Sequence, residues 1–98
     1  MTSNATHACL FTKEQCLPCT KTKDYLREIY NEDTDLANYI SVLKKENHSA
    51  LVESYNLNLY PTLLIVGPNG IELDRVVGGK EIRAHLKGIL IALRANSK

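Results

Sequence analysis

The first apolar segment of the sequence is His7–Thr12, in which Ala8 to Phe11 are all apolar. An uninterrupted apolar run of this kind predicts a buried strand. Apolar side chains then recur every three to four positions over Pro18–Tyr30, which predicts a helix. Proline is favoured in the first turn of a helix because its missing N–H is not needed there. The polar run Asn31–Asp35 ends this pattern, so the chain is expected to begin with a strand followed by a helix.

The next segment, Asn38–Leu43, is rich in β-branched and aromatic residues and predicts a second strand. A short helix is expected after it, capped by Asn47 or Ser49 and ending near Tyr55. Side chains of these two types accept hydrogen bonds from the free N–H groups at a helix start. Pro61 then favours an extended conformation for the residue before it.

The clearest local pattern is a hairpin with its turn at Gly67–Gly70. The first arm, Thr62–Val66, is apolar, as in a central strand. The second arm, Ile71–Val77, alternates apolar and polar residues, as in a strand with one solvent-facing side. Lys80–Arg94 has the periodicity of an amphipathic helix. The side chains expected to be buried in that helix are Ile82, Leu86, Ile89, Leu90 and Leu93.

The predicted elements follow the order β-α-β-α-β-β-α. A strand, a crossover helix and a parallel strand, followed by an antiparallel hairpin, predict an α/β fold with a four-stranded mixed sheet flanked by three helices. A chain of 98 residues can form one hydrophobic core but not two, and no repeat or linker divides it. We therefore expect residues 1–98 to form a single domain.

The charges are almost balanced, because 12 Lys and Arg residues against 11 Asp and Glu residues give a formal net charge of +1. This excludes a strong positive field as a basis for binding nucleic acid or a membrane. The longest apolar run, Ile89–Leu93, is far shorter than the roughly 20 residues that span a bilayer. Residues 1–8 show no signal-peptide pattern, so a cytoplasmic location is expected, and the odd count of 3 cysteines agrees with it.

Two of the cysteines, Cys16 and Cys19, are separated by Leu17 and Pro18 at the predicted start of the first helix. Thiols at this spacing can close a disulfide with little backbone movement and can cycle between dithiol and disulfide. The free N–H groups and positive dipole end of a helix N-terminus favour a thiolate, which predicts a lowered pKa for Cys16 and makes it the attacking sulfur. Cys19 lies a turn further in and is expected to be the shielded, resolving thiol. Leu17 is expected at the exposed tip of the motif, in contact with a partner.

Two other interpretations of the cysteines are open at this point. His7, Cys9, Cys16 and Cys19 are four side chains of the types that bind zinc. The chain could instead be a docking module that binds a partner, with the two thiols incidental. Cys9 by itself is interpreted as a small core residue, because a lone cysteine in an apolar strand usually packs as one.

Four features of the sequence resemble the thioredoxin superfamily, and they occur in order from about residue 7 to the end. The first two are the Cys-x-x-Cys motif between a strand and a helix and a proline, Pro61, just before a strand. The other two are the hairpin with its Pro-Asn-Gly turn and the pair Gly78-Gly79 before the last helix. The resemblance implies a thioredoxin-like fold and a thiol–disulfide oxidoreductase with Cys16 as nucleophile and Cys19 as resolving thiol.

The resemblance also implies where a substrate binds. Pro61 matches the superfamily's cis-proline beside the disulfide, and a cis bond is plausible there only because the residue is proline. The backbone of Tyr60 then pairs with an extended substrate segment, and the two glycines allow close approach of the substrate backbone. The residues expected to contact substrate are Leu17, Pro18, Tyr60, Pro61, Thr62, Gly78 and Gly79.

Details of the sequence resemble two branches of the superfamily. Pro18 directly before the second cysteine and the long hairpin are similar to thioredoxins. The short segment before the first cysteine and the doublet Gly78-Gly79 are similar to glutaredoxins. Gln15 stands where thioredoxins usually have tryptophan, and Leu10 and its neighbours supply no buried aspartate to assist the resolving thiol.

We therefore expect a small thioredoxin-like protein that reduces disulfides in protein substrates, acts as a monomer and holds no cofactor beyond its own redox-active disulfide. A glutaredoxin-like enzyme that exchanges with glutathione is the alternative, although Lys13 is the one basic residue recognisable as a partner for the carboxylates of that tripeptide. The expected electron donor is correspondingly an NADPH-linked thioredoxin reductase or glutathione.

Overall fold

The first half of the fold is a strand, a long helix and a parallel strand. The computed structural model describes residues 6–96. Strand β1 is His7–Thr12, helix α1 is Leu17–Glu32, a 3₁₀ helix covers Thr34–Tyr39, and strand β2 is Ile40–Lys44. Strands β1 and β2 are parallel, with α1 as the connection between them. The expected β-α-β unit is therefore present, and β1 has the bounds that its apolar run predicts.

The second half consists of a short helix, a hairpin and a long helix. After a 3₁₀ turn at Lys45–Asn47, helix α2 covers Ser49–Ser54. Strands β3, Thr62–Val66, and β4, Glu72–Val77, form the antiparallel hairpin. Helix α3, Gly79–Ala95, follows it directly.

The four strands form one mixed sheet in the order β2-β1-β3-β4. Strand β1 is central: Leu10 is opposite Val42 in the parallel pair and opposite Leu63 in the antiparallel pair. The described elements thus confirm the expected α/β fold of a four-stranded mixed sheet with three α-helices.

The sheet separates two hydrophobic clusters, because alternate side chains of a strand point to opposite faces. Helices α1 and α3 cover one face and form with it what we call the main core. It consists of Ala8, Leu10, Leu26, Ile29, Leu36, Ile40, Leu63, Ile65, Ile82, Leu86, Leu90 and Leu93. The other face carries a smaller cluster, which we call the second core. Its buried residues are Phe11, Leu57 and Leu64, with Cys9, Leu43, Val52, Tyr55, Tyr60 and Val66 packed against them.

Several element boundaries differ from the sequence-based expectation. The second strand begins at Ile40 rather than residue 38, because the preceding 3₁₀ helix turns Leu36 into the main core, where it is fully buried. Helix α2 is preceded by His48 rather than capped by Asn47 or Ser49, and its first intrahelical bond runs from the Val52 N–H to the His48 carbonyl.

The last helix differs from the expectation in its bounds and in one buried residue. It extends by one residue at each end, to Gly79–Ala95. Four of its five expected core side chains are buried, and Ile89 is partly buried against the main core. Over residues 6–96, no helix has both the length and the apolar character that crossing a membrane requires.

Candidate redox site

The site is built around a disulfide between Cys16 and Cys19, whose Cα atoms are 5.2 Å apart. Cys16 is the N-cap residue of α1, with an extended backbone at φ −130° and ψ 100°, and Pro18 lies in the first turn. The Cys16 Sγ accepts a hydrogen bond from the Cys19 N–H at 3.2 Å, and the Cys16 carbonyl accepts one from the Thr20 N–H at 3.0 Å. The positive end of the α1 dipole therefore points at the Cys16 sulfur, as the sequence predicts.

The two cysteines differ in their exposure to solvent. Cys16 is 8% exposed and Cys19 is 1% exposed, while Leu17 between them is 66% exposed. An attacking disulfide or thiol can therefore approach the Cys16 side of the pair, and Leu17 projects where a partner would contact the motif. Cys19 packs inward, which is the arrangement expected of a resolving thiol.

The Tyr60-Pro61 peptide bond is cis, as the resemblance implies. Pro61 is buried, and its carbonyl accepts a hydrogen bond from the Gly78 N–H at 2.9 Å. The Thr62 side chain is buried, and its hydroxyl donates to the Leu59 carbonyl, so its polar group stabilises the loop. The Thr62 hydroxyl is therefore already bonded within the protein. Contact between Thr62 and a substrate stays a prediction, and the backbone is the part of the residue that could make it.

Gly78 and Gly79 join the hairpin to α3, and they lie beside the Cys-x-x-Cys motif. Gly78 has φ +95°, a backbone conformation that side-chain-bearing residues rarely adopt. Gly79 packs on α1 so closely that a Cβ there would lie 3.1 Å from the Pro18 Cβ and 3.2 Å from the Pro18 carbonyl oxygen. The first turn of α1, the cis-proline loop and the start of α3 are therefore contiguous, although they are far apart in the sequence.

No protein-family model and no curated protein matches the sequence. Solved structures do match. The germline-specific thioredoxin Deadhead of Drosophila melanogaster is 18% identical, with a TM-score of 0.70 over 92% of this chain and 82% of that one. The thioredoxin of Trypanosoma brucei brucei is 21% identical, with a TM-score of 0.69 over 98% of this chain and 80% of that one. Oxidised thioredoxin of Plasmodium falciparum is 20% identical, with a TM-score of 0.68 over 91% and 81%. The chain has the thioredoxin fold.

The packing around β1 shows one expected difference from thioredoxins, the lack of a buried aspartate. Leu10 is fully buried in the main core and lies on β1, the strand in which the resemblance places a buried aspartate. All the buried residues of that cluster are apolar, so no carboxylate of the described chain lies among them.

The side chain of Tyr60 points into the second core. Its hydroxyl is buried and has no hydrogen-bond partner within residues 6–96, and Lys45 Nζ lies 5.4 Å from the centre of its ring. Burial, and then the charge of Glu46, raise the pKa of Tyr60. The backbone of Tyr60 remains the part available for the predicted pairing with substrate.

A groove of about 590 Å³ lies beside Cys16 and contains three lysines: Lys13, Lys23 and Lys44. Lys44 pairs with Glu14 at 3.2 Å, whereas neither Lys13 nor Lys23 pairs with any carboxylate of the described residues. Lys13 is the one lysine of the three that the sequence by itself suggests as a partner for glutathione. Lys44 was missed because it reaches the groove through the parallel pairing of β2 with β1, where it is opposite Thr12.

The structure does not assemble the alternative zinc site. Cys9 faces the second core, across the sheet from α1, and burial raises the pKa of its thiol. His7 Nε2 lies 2.9 Å from Ser41 Oγ, and burial lowers the pKa of His7. Within the described part of the chain, no group of three or more His, Cys, Asp and Glu side chains could hold a metal ion. Cys9 packs as the small core residue that its position in an apolar strand predicts.

Two further residues next to the motif were not predicted from the sequence. Thr22 is fully buried, and its hydroxyl donates to the Pro18 carbonyl at 2.8 Å. Arg83 on α3 extends over Gly79, and its Nη1 donates to the Thr22 hydroxyl oxygen at 3.1 Å. The Pro18-to-Thr22 spacing of four could have suggested the first bond, but the second joins residues 61 positions apart and depends on the tertiary fold.

Proposed function

We propose that this protein is a thiol–disulfide oxidoreductase that reduces disulfides in protein substrates. The observation that carries the proposal is the Cys16–Cys19 disulfide at the N-terminus of α1, in which Cys16 is 8% exposed and Cys19 is 1% exposed. Its place beside a cis-proline loop in a thioredoxin fold supports the same chemistry.

The reaction begins from the dithiol. The Cys16 thiolate attacks one sulfur of a substrate disulfide, which forms a mixed disulfide and releases the other substrate sulfur as a thiolate. The Cys19 thiolate then attacks the Cys16 sulfur, which closes the Cys16–Cys19 bond and releases the second substrate thiolate. Two electrons pass to the substrate, and its two thiolates take up protons from solvent.

A substrate segment fits the surface formed by the motif and the cis-proline loop. Leu17 offers an apolar contact, and the backbone of Tyr60 beside the cis bond offers hydrogen bonds in the manner of an added strand. Pro18 adjoins this surface, and Gly79 is buried beneath it, packed against Pro18 and Arg83.

Cysteine variants test the reaction with a matched control inside the same chain. Reduction of a disulfide-containing protein such as insulin is measured with dithiothreitol as reductant. Cys16→Ser is expected to abolish catalysis, and Cys19→Ser to accumulate a mixed disulfide with the substrate. Cys9→Ser is expected to retain full activity. Undiminished activity of Cys16→Ser would refute the proposal and favour the docking interpretation.

We propose that an NADPH-linked thioredoxin reductase restores the dithiol. Two thioredoxin-like features of the chain support this donor: Pro18 lies directly before the second cysteine, and the hairpin has two full strands. Glutathione is the second candidate, and the lysine groove beside Cys16 is the specific observation that favours it. Lys13, Lys23 and Lys44 are cations of the kind that bind the two carboxylates of that tripeptide.

The donor is decided by reducing the oxidised protein with each system in parallel. Turnover with thioredoxin reductase alone supports the first candidate. Turnover with glutathione alone supports the second, and Lys23→Met should then raise the KM for glutathione. Lys21→Met on the same helix is the control, since Lys21 does not line the groove.

We further propose that the protein acts as a monomer in the cytoplasm. All the segments of the candidate site come from one chain, so no second copy is needed to complete it. The unpaired Cys9 suits a reducing compartment. Light scattering that gives the mass of one chain, and cell fractionation, test the two statements.

A further inference from the structure

Three hydrogen bonds form a continuous chain from helix α3 to the sulfur of Cys16. Arg83 Nη1 donates to Thr22 Oγ1 at 3.1 Å, and the Thr22 hydroxyl donates to the Pro18 carbonyl oxygen at 2.8 Å. That carbonyl belongs to the same peptide unit as the Cys19 N–H, which donates to Cys16 Sγ at 3.2 Å. Every donor in the chain points the same way, from the guanidinium towards the sulfur.

We infer that Arg83 and Thr22 are positioning residues that stabilise the Cys16 thiolate through the Pro18–Cys19 peptide. The inference rests on the proposed function and deepens it, because it names residues that set the reactivity of the nucleophile.

The physical reason lies in the polarity of the peptide group. A hydrogen bond to a carbonyl oxygen draws electrons towards that oxygen through the conjugated C–N bond, which makes the N–H of the same peptide a stronger donor. Hydrogen bonds in such a chain strengthen one another, and the first donor here carries a full positive charge. A thiolate at Cys16 accepts from the last N–H and gains more from this polarisation than a neutral thiol does.

Burial makes this chain more effective than a surface contact. Thr22 is fully buried and Cys19 is 1% exposed, so water competes little for the bonds between them. Arg83 forms no ion pair with any carboxylate of the described chain, so its charge is not cancelled by a salt bridge there. The absence of a side chain at Gly79 gives the guanidinium its place, since a Cβ would lie 2.8 Å from Arg83 Nη1.

Other charges near Cys16 act on it by a different route. Lys13, Glu14, Lys23 and Lys44 line the groove on the solvent side of the disulfide. Their field acts through solvent and is screened by salt. The chain from Arg83 acts from the protein side, through buried and partly buried bonds that salt screens less, and substitutions within it leave the groove lysines unchanged.

The experiment measures the pKa of Cys16 in a single-thiol protein. In the Cys9→Ser/Cys19→Ser background, the thiolate absorbance near 240 nm follows Cys16 alone, and the N–H of residue 19 is retained. Thr22→Val keeps the shape of the side chain but removes the hydroxyl. Arg83→Met removes the charge but keeps most of the length. Each is expected to raise the pKa by about half a unit, which lowers the thiolate fraction about threefold below the pKa.

Matched variants separate this role from a structural one. Thr22→Ser restores the hydroxyl and should return the pKa to that of the background protein. Arg27→Met removes an arginine from the exposed side of α1, where Arg27 pairs with Asp24, and should leave the pKa unchanged. Circular dichroism at each pH confirms that the variants are folded, and Arg83→Met, at a less buried position, provides the test if Thr22→Val does not fold.

Three results would overturn the inference: an unchanged pKa in Thr22→Val or in Arg83→Met, the same rise in Thr22→Ser as in Thr22→Val, or a rise in Arg27→Met that equals that of Arg83→Met. The titration uses no substrate, so its failure is distinguishable from failure of the proposed function, which would appear as a wild-type protein that does not reduce disulfides.

Discussion

The close contact between α3 and the disulfide loop at Gly79 leads to a quantitative prediction. Alanine at this position places a Cβ 2.8 Å from Arg83 Nη1, 3.1 Å from the Pro18 Cβ and 3.2 Å from the Pro18 carbonyl oxygen. The guanidinium must move and lose its bond to Thr22, and the first turn of α1 must shift by a few tenths of an ångström. Overpacking of this kind typically costs about 1–3 kcal/mol.

Alanine also reduces the freedom of the unfolded chain, which stabilises by roughly 0.4–1 kcal/mol. At the midpoints of these two ranges, the expected net effect of Gly79→Ala is therefore a loss of about 1.3 kcal/mol in the free energy of unfolding. Gly88 in the same helix is the control, because a Cβ there meets nothing within 4 Å. Gly88→Ala should stabilise the protein by about 0.5–1 kcal/mol, the usual gain in a helix interior.

Urea unfolding of the oxidised proteins measures both effects, provided that the slope of the transition is unchanged. In thermal unfolding the two variants should shift the midpoint in opposite directions, by roughly 4–8 °C per kcal/mol. A Gly79→Ala protein as stable as the wild type would refute the close packing of α3 on Pro18. A loss in Gly88→Ala would show that backbone propensity does not govern that site.

Three further predictions concern single side chains. Leu17→Ser should leave the unfolding midpoint unchanged but raise the KM for a protein disulfide roughly three- to tenfold, because 66% of Leu17 is exposed for contact with a partner. Tyr60→Phe should raise the free energy of unfolding by about 1 kcal/mol in urea titration, because the buried hydroxyl lacks a partner within the described residues. His7→Asn should flatten the fall in stability as the pH drops below about 7, since burial lowers the pKa of His7 and the unfolded chain therefore binds the proton first as pH falls.

Each of these has an outcome that contradicts it. For Leu17→Ser, an equal loss of activity towards a small-molecule disulfide would place the effect on the chemistry rather than on partner binding. A destabilised Tyr60→Phe would mean that the hydroxyl is bonded. An unchanged pH dependence in His7→Asn would assign the acid-side loss to other groups.

The parts of the fold that the sequence predicted well depend on local pattern. The apolar run from His7 to Thr12 defined β1 to the residue, and the periodicity beginning at Pro18 placed the start of α1 within one residue of Leu17. The 3₁₀ helix before β2 was not predicted, because it forms where Leu36 packs into the main core rather than from any local signal.

The parts of the site that were missed depend on pairing across the fold. Lys44 enters the groove because β2 is in register with β1, and Arg83 reaches Thr22 because α3 packs on α1. The residues flanking Lys44 and Arg83 in the sequence are like those around any lysine or arginine on a protein surface. Such residues can be found only after the strand register and the helix contacts are known.

The sheet has a consequence for how the three thiols pair during folding. In an unfolded chain Cys9 lies only a few residues from Cys16 and Cys19, so an oxidant could join it to either of them. Once β1 is in place, Cys9 faces the second core on the side of the sheet away from α1, and the other two cysteines are left to each other. We therefore expect folding before oxidation to favour the Cys16–Cys19 disulfide, and oxidation before folding to give a mixture of disulfide isomers.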